Sequence, residues 1–148
     1  PSVCALIFFG LSAGTLSADG VGVKYVGGTT KAIPENAEGR ISTTDELFFE
    51  FRGKGREVHV PYEKINLLEY EQNVNRRLVL AMTVSPLFLL SKAPQHFLTV
   101  GYEDVNGKQQ ALMFRVDKNK MRAVLVSLEA RTGLKIEYQD DQARSAGK

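Results

Sequence analysis

The sequence predicts a mainly β domain, an antiparallel barrel or sandwich capped by one C-terminal α-helix. Three observations carry this expectation: apolar residues alternate with period two through the middle of the chain, an Asn-Gly pair separates two such stretches, and a single helical-period stretch comes near the C-terminus. A curled sheet leaves apolar residues open at one end, and one amphipathic helix is enough to cover them.

Each element has its own signal. In Leu47-Phe48-Phe49-Glu50-Phe51, residues Leu47, Phe49 and Phe51 share one face of a strand. Gly53-Lys54-Gly55 supplies a turn, because glycine reaches positive φ without steric cost. In the next strand Val58 and Val60 point one way, Glu57 and His59 the other, and Pro61 ends it. Leu68 and Tyr70 alternate with Glu69 and Glu71, whose carboxylates share a face and read as solvated side chains rather than as a catalytic pair. Leu98, Val100 and Tyr102 form one apolar stripe and Leu112, Phe114 and Val116 another. Asn106-Gly107 between them predicts an antiparallel pair joined by a type I′ turn, with positive φ at both central residues. The period then changes. Asp117 is a good N-cap, Met121, Val124, Leu125 and Leu128 recur at i, i+3, i+4 and i+7, Arg131 lies in the last turn, and Gly133 is the stop. Leu134, Ile136 and Tyr138 alternate again as a short final strand or extended segment.

Composition bounds what surrounds these elements. A chain of 148 residues, 43% apolar and 24% charged, has room for one domain with a sizeable core. Its net charge of +2, from 19 basic and 17 acidic side chains, is too small and dispersed for a nucleic-acid face. Cys4 is the one cysteine, which excludes an internal disulfide framework and a cysteine zinc site. Residues 1–18 form an uncharged apolar leader, with Val3 to Leu11 as its core and small residues before Asp19. They read as a secretory signal or an N-terminal anchor, the alternative being a segment packed on the domain; export to the periplasm or its membranes follows from the first reading. The domain spans 19–138, and 139–148 form a polar tail.

The stretch Gly39-Arg40-Ile41-Ser42-Thr43-Thr44-Asp45-Glu46-Leu47-Phe48-Phe49 resembles an early strand pair of bacterial pleckstrin-homology-like and GRAM-like domains. Val58-His59-Val60-Pro61-Tyr62-Glu63-Lys64-Ile65 is similar to the step that follows it in those families, and the Asn106-Gly107 hairpin and the helix over 118–132 come where they place their last strands and capping helix. The chain also resembles uncharacterised exported bacterial proteins carrying an "R-R … S-P-L-F-L-L-S-K" insertion. This resemblance implies a pleckstrin-homology-like binding module. Eukaryotic members hold phosphoinositides through basic residues in the first loop, but residues 31–40 here balance Lys31 and Arg40 with Glu35 and Glu38, which speaks against that ligand.

The segment from Arg76 to Lys92 stands apart. Leu78 to Val84 is too apolar for a half-exposed strand, and Pro86 interrupts the run before Leu87, Phe88, Leu89 and Leu90. Either Leu78 to Met82 is a buried strand with Pro86 to Leu90 folded under the barrel, or Pro86, Leu87, Phe88, Leu89 and Leu90 form an apolar loop flanked by Arg76, Arg77, Lys92 and His96. An apolar patch rimmed by cations suits a membrane surface or a membrane-protein complex. Removing the four large side chains from water would contribute roughly 6–10 kcal/mol before ordering costs.

Catalytic patterns are missing. Gly27-Gly28-Thr29-Thr30-Lys31 lacks the spacing of a phosphate loop, and Tyr25 stands where a dinucleotide fingerprint needs glycine. His59 and His96, the two histidines, fit no metal-ligand spacing and read as strand-surface residues, and no serine sits in a nucleophile elbow. The expected function is therefore non-enzymatic, without cofactor or metal, docking to a membrane surface or membrane-protein complex through the apolar loop. A self-associating structural subunit using the same loop as a homo-oligomer interface is one alternative, and a small-ligand carrier or hydrolase with a barrel pocket is another.

Overall fold

The alternating stretches fold as strands and the helical-period stretch as the one helix among the described residues, so the chain is mainly β with a C-terminal cap. The computed structural model describes residues 20–72, 83–84 and 95–139. Its strands are β1 (Val21–Gly28), β2 (Glu38–Ser42), β3 (Phe48–Gly53), β4 (Arg56–Pro61), β5 (Ile65–Glu71), β6 (Thr83–Val84), β7 (Phe97–Glu103), β8 (Gln109–Val116) and β9 (Glu137–Tyr138). A 3-10 turn (Tyr62–Lys64) joins β4 to β5, and α1 is Lys118–Thr132.

The strands follow one path, β4-β3-β2-β1-β8-β7-β5-β9, that curls without closing. Of the two architectures expected, this is the sandwich. The first four strands form a meander, and β5, β7 and β8 form a second layer. Pairing is antiparallel except for β9, which lies parallel to β5 with Glu69 opposite Glu137.

Strand β1 holds the layers together, and its three glycines hide it from a period-two reading. One edge pairs with β8 along its length, Val23 opposite Val116 and Gly28 opposite Leu112, with a bulge between Tyr25 and Gly27. The other edge pairs with β2 from Val21 to Lys24, then with β6, where Gly27 meets Val84 and Gly28 meets Thr83. A Cβ at Gly28 would collide with the Ala111 carbonyl oxygen and come within 2.5 Å of the Tyr25 hydroxyl. Glycine is required by that approach, not by a phosphate.

Phe114 of β8 is the centre of the core. Its ring lies 5.3 Å from Phe51, 5.8 Å from Tyr25 and 6.0 Å from Phe49, the last two edge-on. Phe49 and Phe51 from one layer thus meet Phe114 from the other. Met121, Val124, Leu125 and Leu128 of α1 join the same cluster. The caps are those expected: Asp117 Oδ1 accepts from Asn119 N–H at 2.8 Å, and Gly133 takes φ 72° while its N–H donates to Glu129. Arg131 donates to the carbonyls of Thr43 and Thr44, tying the last turn of α1 to the loop before β3.

Three expectations are corrected. Leu47 does not share the buried face of Phe49 and Phe51, since it is 68% exposed. Asp45 Oδ1 accepts from the N–H groups of Leu47 and Phe48, and this turn delays the strand to Phe48. The Asn106-Gly107 connection does join an antiparallel pair, but not as a type I′ turn. Only Gly107 has positive φ, Gly107 N–H donates to Asp104 O, and Asp104 pairs with Lys108 around a three-residue loop. Asp104 Oδ1 stabilises that alternative by accepting from Asn106 and Lys108 N–H. Glu69 and Glu71 are buried, 7% and 0% exposed, rather than solvated.

Truncating the shared ring should be costly. Phe114→Ala is expected to lower unfolding free energy by about 3–5 kcal/mol. Urea denaturation checks this; an unchanged midpoint would mean that the two layers are not held by this contact.

Candidate functional site

The residues singled out as a contact surface, Arg76, Arg77, Pro86, Leu87, Phe88, Leu89, Leu90 and Lys92, lie outside the described residues, as do residues 1–18 and Leu78 to Met82. The ends of their segment are described. The chain leaves β5 at Gln72 and returns to β7 at Gln95, whose N–H donates to Gln72 O at 3.3 Å. Halfway along, Thr83 and Val84 pair with the far end of β1.

Beside this exit and return a cleft of about 640 Å³ opens at the end of the sheet. Lys24 of β1, Arg115 of β8, Lys118 of α1 and His96 line it, with Glu38 and Asp117 as the acids. Three strands, the start of α1 and the residue before β7 supply these side chains. Lys24 and Arg115 are cross-strand neighbours on the same face, because β1 and β8 pair in register there. Lys118 arrives one residue after the N-cap of α1, whose N-terminus adds a partial positive charge. Lys24 Nζ lies 3.8 Å from Glu38 Oε1, an exposed pair that balances part of that charge. The cleft is thus an open, cation-rich depression that suits an anionic group at a surface.

His96 sits just before β7, not on a strand surface. Its ring stacks on Tyr70 at 5.9 Å, and Nδ1 lies 2.5 Å from the Tyr70 hydroxyl. Burial, and then the neighbouring Lys118, hold its pKa below the ordinary 6.5, while Asp117 opposes them. At neutral pH the ring is therefore neutral, and one hydrogen bond joins Nδ1 to the Tyr70 hydroxyl. His59 is different: it lies half-exposed on β4, its nitrogens 3.2 Å and 3.5 Å from Glu50 and Glu57. Among the described residues no group of three or more His, Cys, Asp or Glu side chains could hold a metal. No described helix is long and apolar enough to cross a membrane.

Sequence reasoning missed the cleft because its residues are scattered from Lys24 to Lys118. Only Arg115-Val116-Asp117-Lys118 carried a local hint, two cations flanking an N-cap. No protein-family model matches the chain, and no characterised protein matches it significantly.

The His96 environment sets a pH dependence. Protonation is less favourable in the folded state, so this contribution is fully present above about pH 6.5 and is lost as pH falls through that value and below. Glu69, whose pKa is raised by burial and then by Glu137, acts oppositely and at lower pH. The urea midpoint of the wild type should drop between about pH 7.5 and about pH 6, and His96→Gln should flatten that drop. Equal drops in both proteins would remove His96 as the titrating group.

Proposed function

We propose that this chain is a non-enzymatic binding module of pleckstrin-homology-like type, exported, that docks onto an anionic membrane surface. Contact is made by the apolar loop Pro86 to Leu90 with Arg76, Arg77 and Lys92 at its flanks, reinforced by the cleft cations Lys24, Arg115 and Lys118. The observation that carries the reading is the position of the cleft: it opens where the segment holding that loop leaves the sheet at Gln72 and re-enters at Gln95. Apolar side chains and cations presented side by side match the boundary between acyl chains and anionic headgroups.

Further support comes from the last antiparallel strand pair followed by a C-terminal helix, which is where the family resemblance expects a final hairpin and a capping helix. The charge arrangement also fits a flat anionic surface better than a small anion held in depth. The cleft is wide and open, and Glu38 and Asp117 stand among its cations.

Co-sedimentation with vesicles tests the reading. The wild type is expected to sediment with phosphatidylserine-containing vesicles and not with pure phosphatidylcholine, with affinity falling as salt rises. Lys118→Gln should weaken association by about fivefold, the effect of roughly 1 kcal/mol for one cation near such a surface. Phe88→Asp should abolish association while leaving circular dichroism unchanged. A wild type that ignores anionic vesicles would end this proposal, and concentration-dependent dimers in sedimentation velocity, lost in Phe88→Asp, would favour self-association instead.

A further inference from the structure

His96 joins the cleft to the core. It stands one residue before β7, and its carbonyl accepts from Val116 N–H at 2.9 Å, at the end of β8. Its ring stacks on Tyr70, a buried residue of β5, whose hydroxyl engages Nδ1. The same half-buried side chain lines the cleft. The imidazole is thus held from the core side and open to the cleft. With Nδ1 engaged, Nε2 is the ring nitrogen left to meet an incoming group.

The groups around this ring come from every neighbouring element. Lys118 and Asp117 stand at the start of α1, Arg115 on β8, Lys24 on β1 and Glu38 on β2. Tyr70 closes the β5 side, with Tyr138 of β9 edge-on to it. Glu71, buried, lies opposite Phe97, the residue after His96. Burial, and then Lys118, disfavour a proton on the ring, and Asp117 offsets only part of this. The free cleft therefore holds a neutral imidazole at pH 7.

An anion reverses that balance. Seated among Lys24, Arg115 and Lys118, it neutralises charges that oppose the imidazolium and adds a negative neighbour. Protonation does not cost the ring its anchor. An imidazolium Nδ1–H donates to the Tyr70 hydroxyl oxygen, which can accept as well as donate. Nε2–H then becomes a charge-assisted donor toward the cleft.

We infer that His96 makes docking at the cleft proton-linked: the anionic surface draws one proton from solvent onto the imidazole, so association strengthens in mildly acid solution. The inference rests on the docking proposed above and adds its regulation. Its sign follows from linkage, because the docked state binds more protons and a falling pH favours it. A negatively charged surface also concentrates protons next to its headgroups, which acts in the same direction. Lys24, Arg115 and Lys118 carry the same charge throughout the range from about pH 7.5 to about pH 5.5, whereas an imidazole does not. The half-buried ring is also less screened than the exposed cations beside it.

Co-sedimentation with phosphatidylserine-containing vesicles at constant salt, repeated between about pH 7.5 and about pH 5.5, is the test. Wild-type affinity should rise about fivefold toward the acid end, the effect of one added cation near such a surface. His96→Gln should lose most of that rise, and Glu38→Gln should keep it. Constant wild-type affinity, or an equal rise in His96→Gln, would overturn the inference and leave docking itself standing. No association at any pH would end both. Histidine NMR of the wild type decides the matter even if the variant fails to fold. The chain has two histidines, and His59 lies on β4 outside the cleft. Adding monomeric dihexanoyl phosphatidylserine should move the His96 titration midpoint upward and leave that of His59 in place. A His96 midpoint that ignores the lipid would reject the coupling.

Discussion

β1 is hydrogen-bonded along both edges, and most of the molecule follows from that constraint. Its first half joins the β2–β4 meander to β8, while its second half keeps β8 and exchanges β2 for β6. The bulge between Tyr25 and Gly27 makes the exchange, since a bulged strand bends and twists more strongly than a regular one. Bending β1 brings Phe49 and Phe51 over Phe114, and α1 then covers what the two layers leave open. Glycine at 28 permits the close approach of β8 but contributes no side chain to the core. Stability at that corner rests on backbone pairing and on the neighbouring Tyr25, whose buried hydroxyl has a raised pKa through desolvation.

Where local pattern and tertiary environment agree, the sequence was legible. β3, β4 and α1 are half-buried elements whose apolar residues repeat at the period of their backbone, β7 and β8 keep that alternation on their core face although both faces are buried in part, and the helix caps at Asp117 and Gly133 follow from local chemistry alone. β1 was not legible, because glycines replace side chains at three of its positions. Leu47 was misplaced because an Asp45 side-chain turn, rather than alternation, decides where β3 begins. The buried state of Glu69 and Glu71 was missed for another reason: alternation tells which residues share a face, but not whether that face meets water. The cleft shows the same limit, because spatial clusters assembled from distant strands leave little trace along the chain.

Charge in this protein is separated by environment. Cations gather around an open cleft, where solvent screens them and an approaching surface can meet them. Acids at positions 69 and 71 sit in a buried corner, where an opposing charge is worth more because solvent screens it less. The near-neutral total of +2 conceals this arrangement.

The strand path also ends somewhere, and among the described strands one terminus is β4. A terminal strand offers a row of backbone donors and acceptors on which a stranger's strand can grow. Here that row is bordered by Arg56, Glu57 and His59 and stops at Pro61, which has no N–H to give. Growth of one molecule onto another along this margin would have to bury alternating charges and then lose its ladder at the proline, so crowded conditions find little foothold for amyloid-like stacking there.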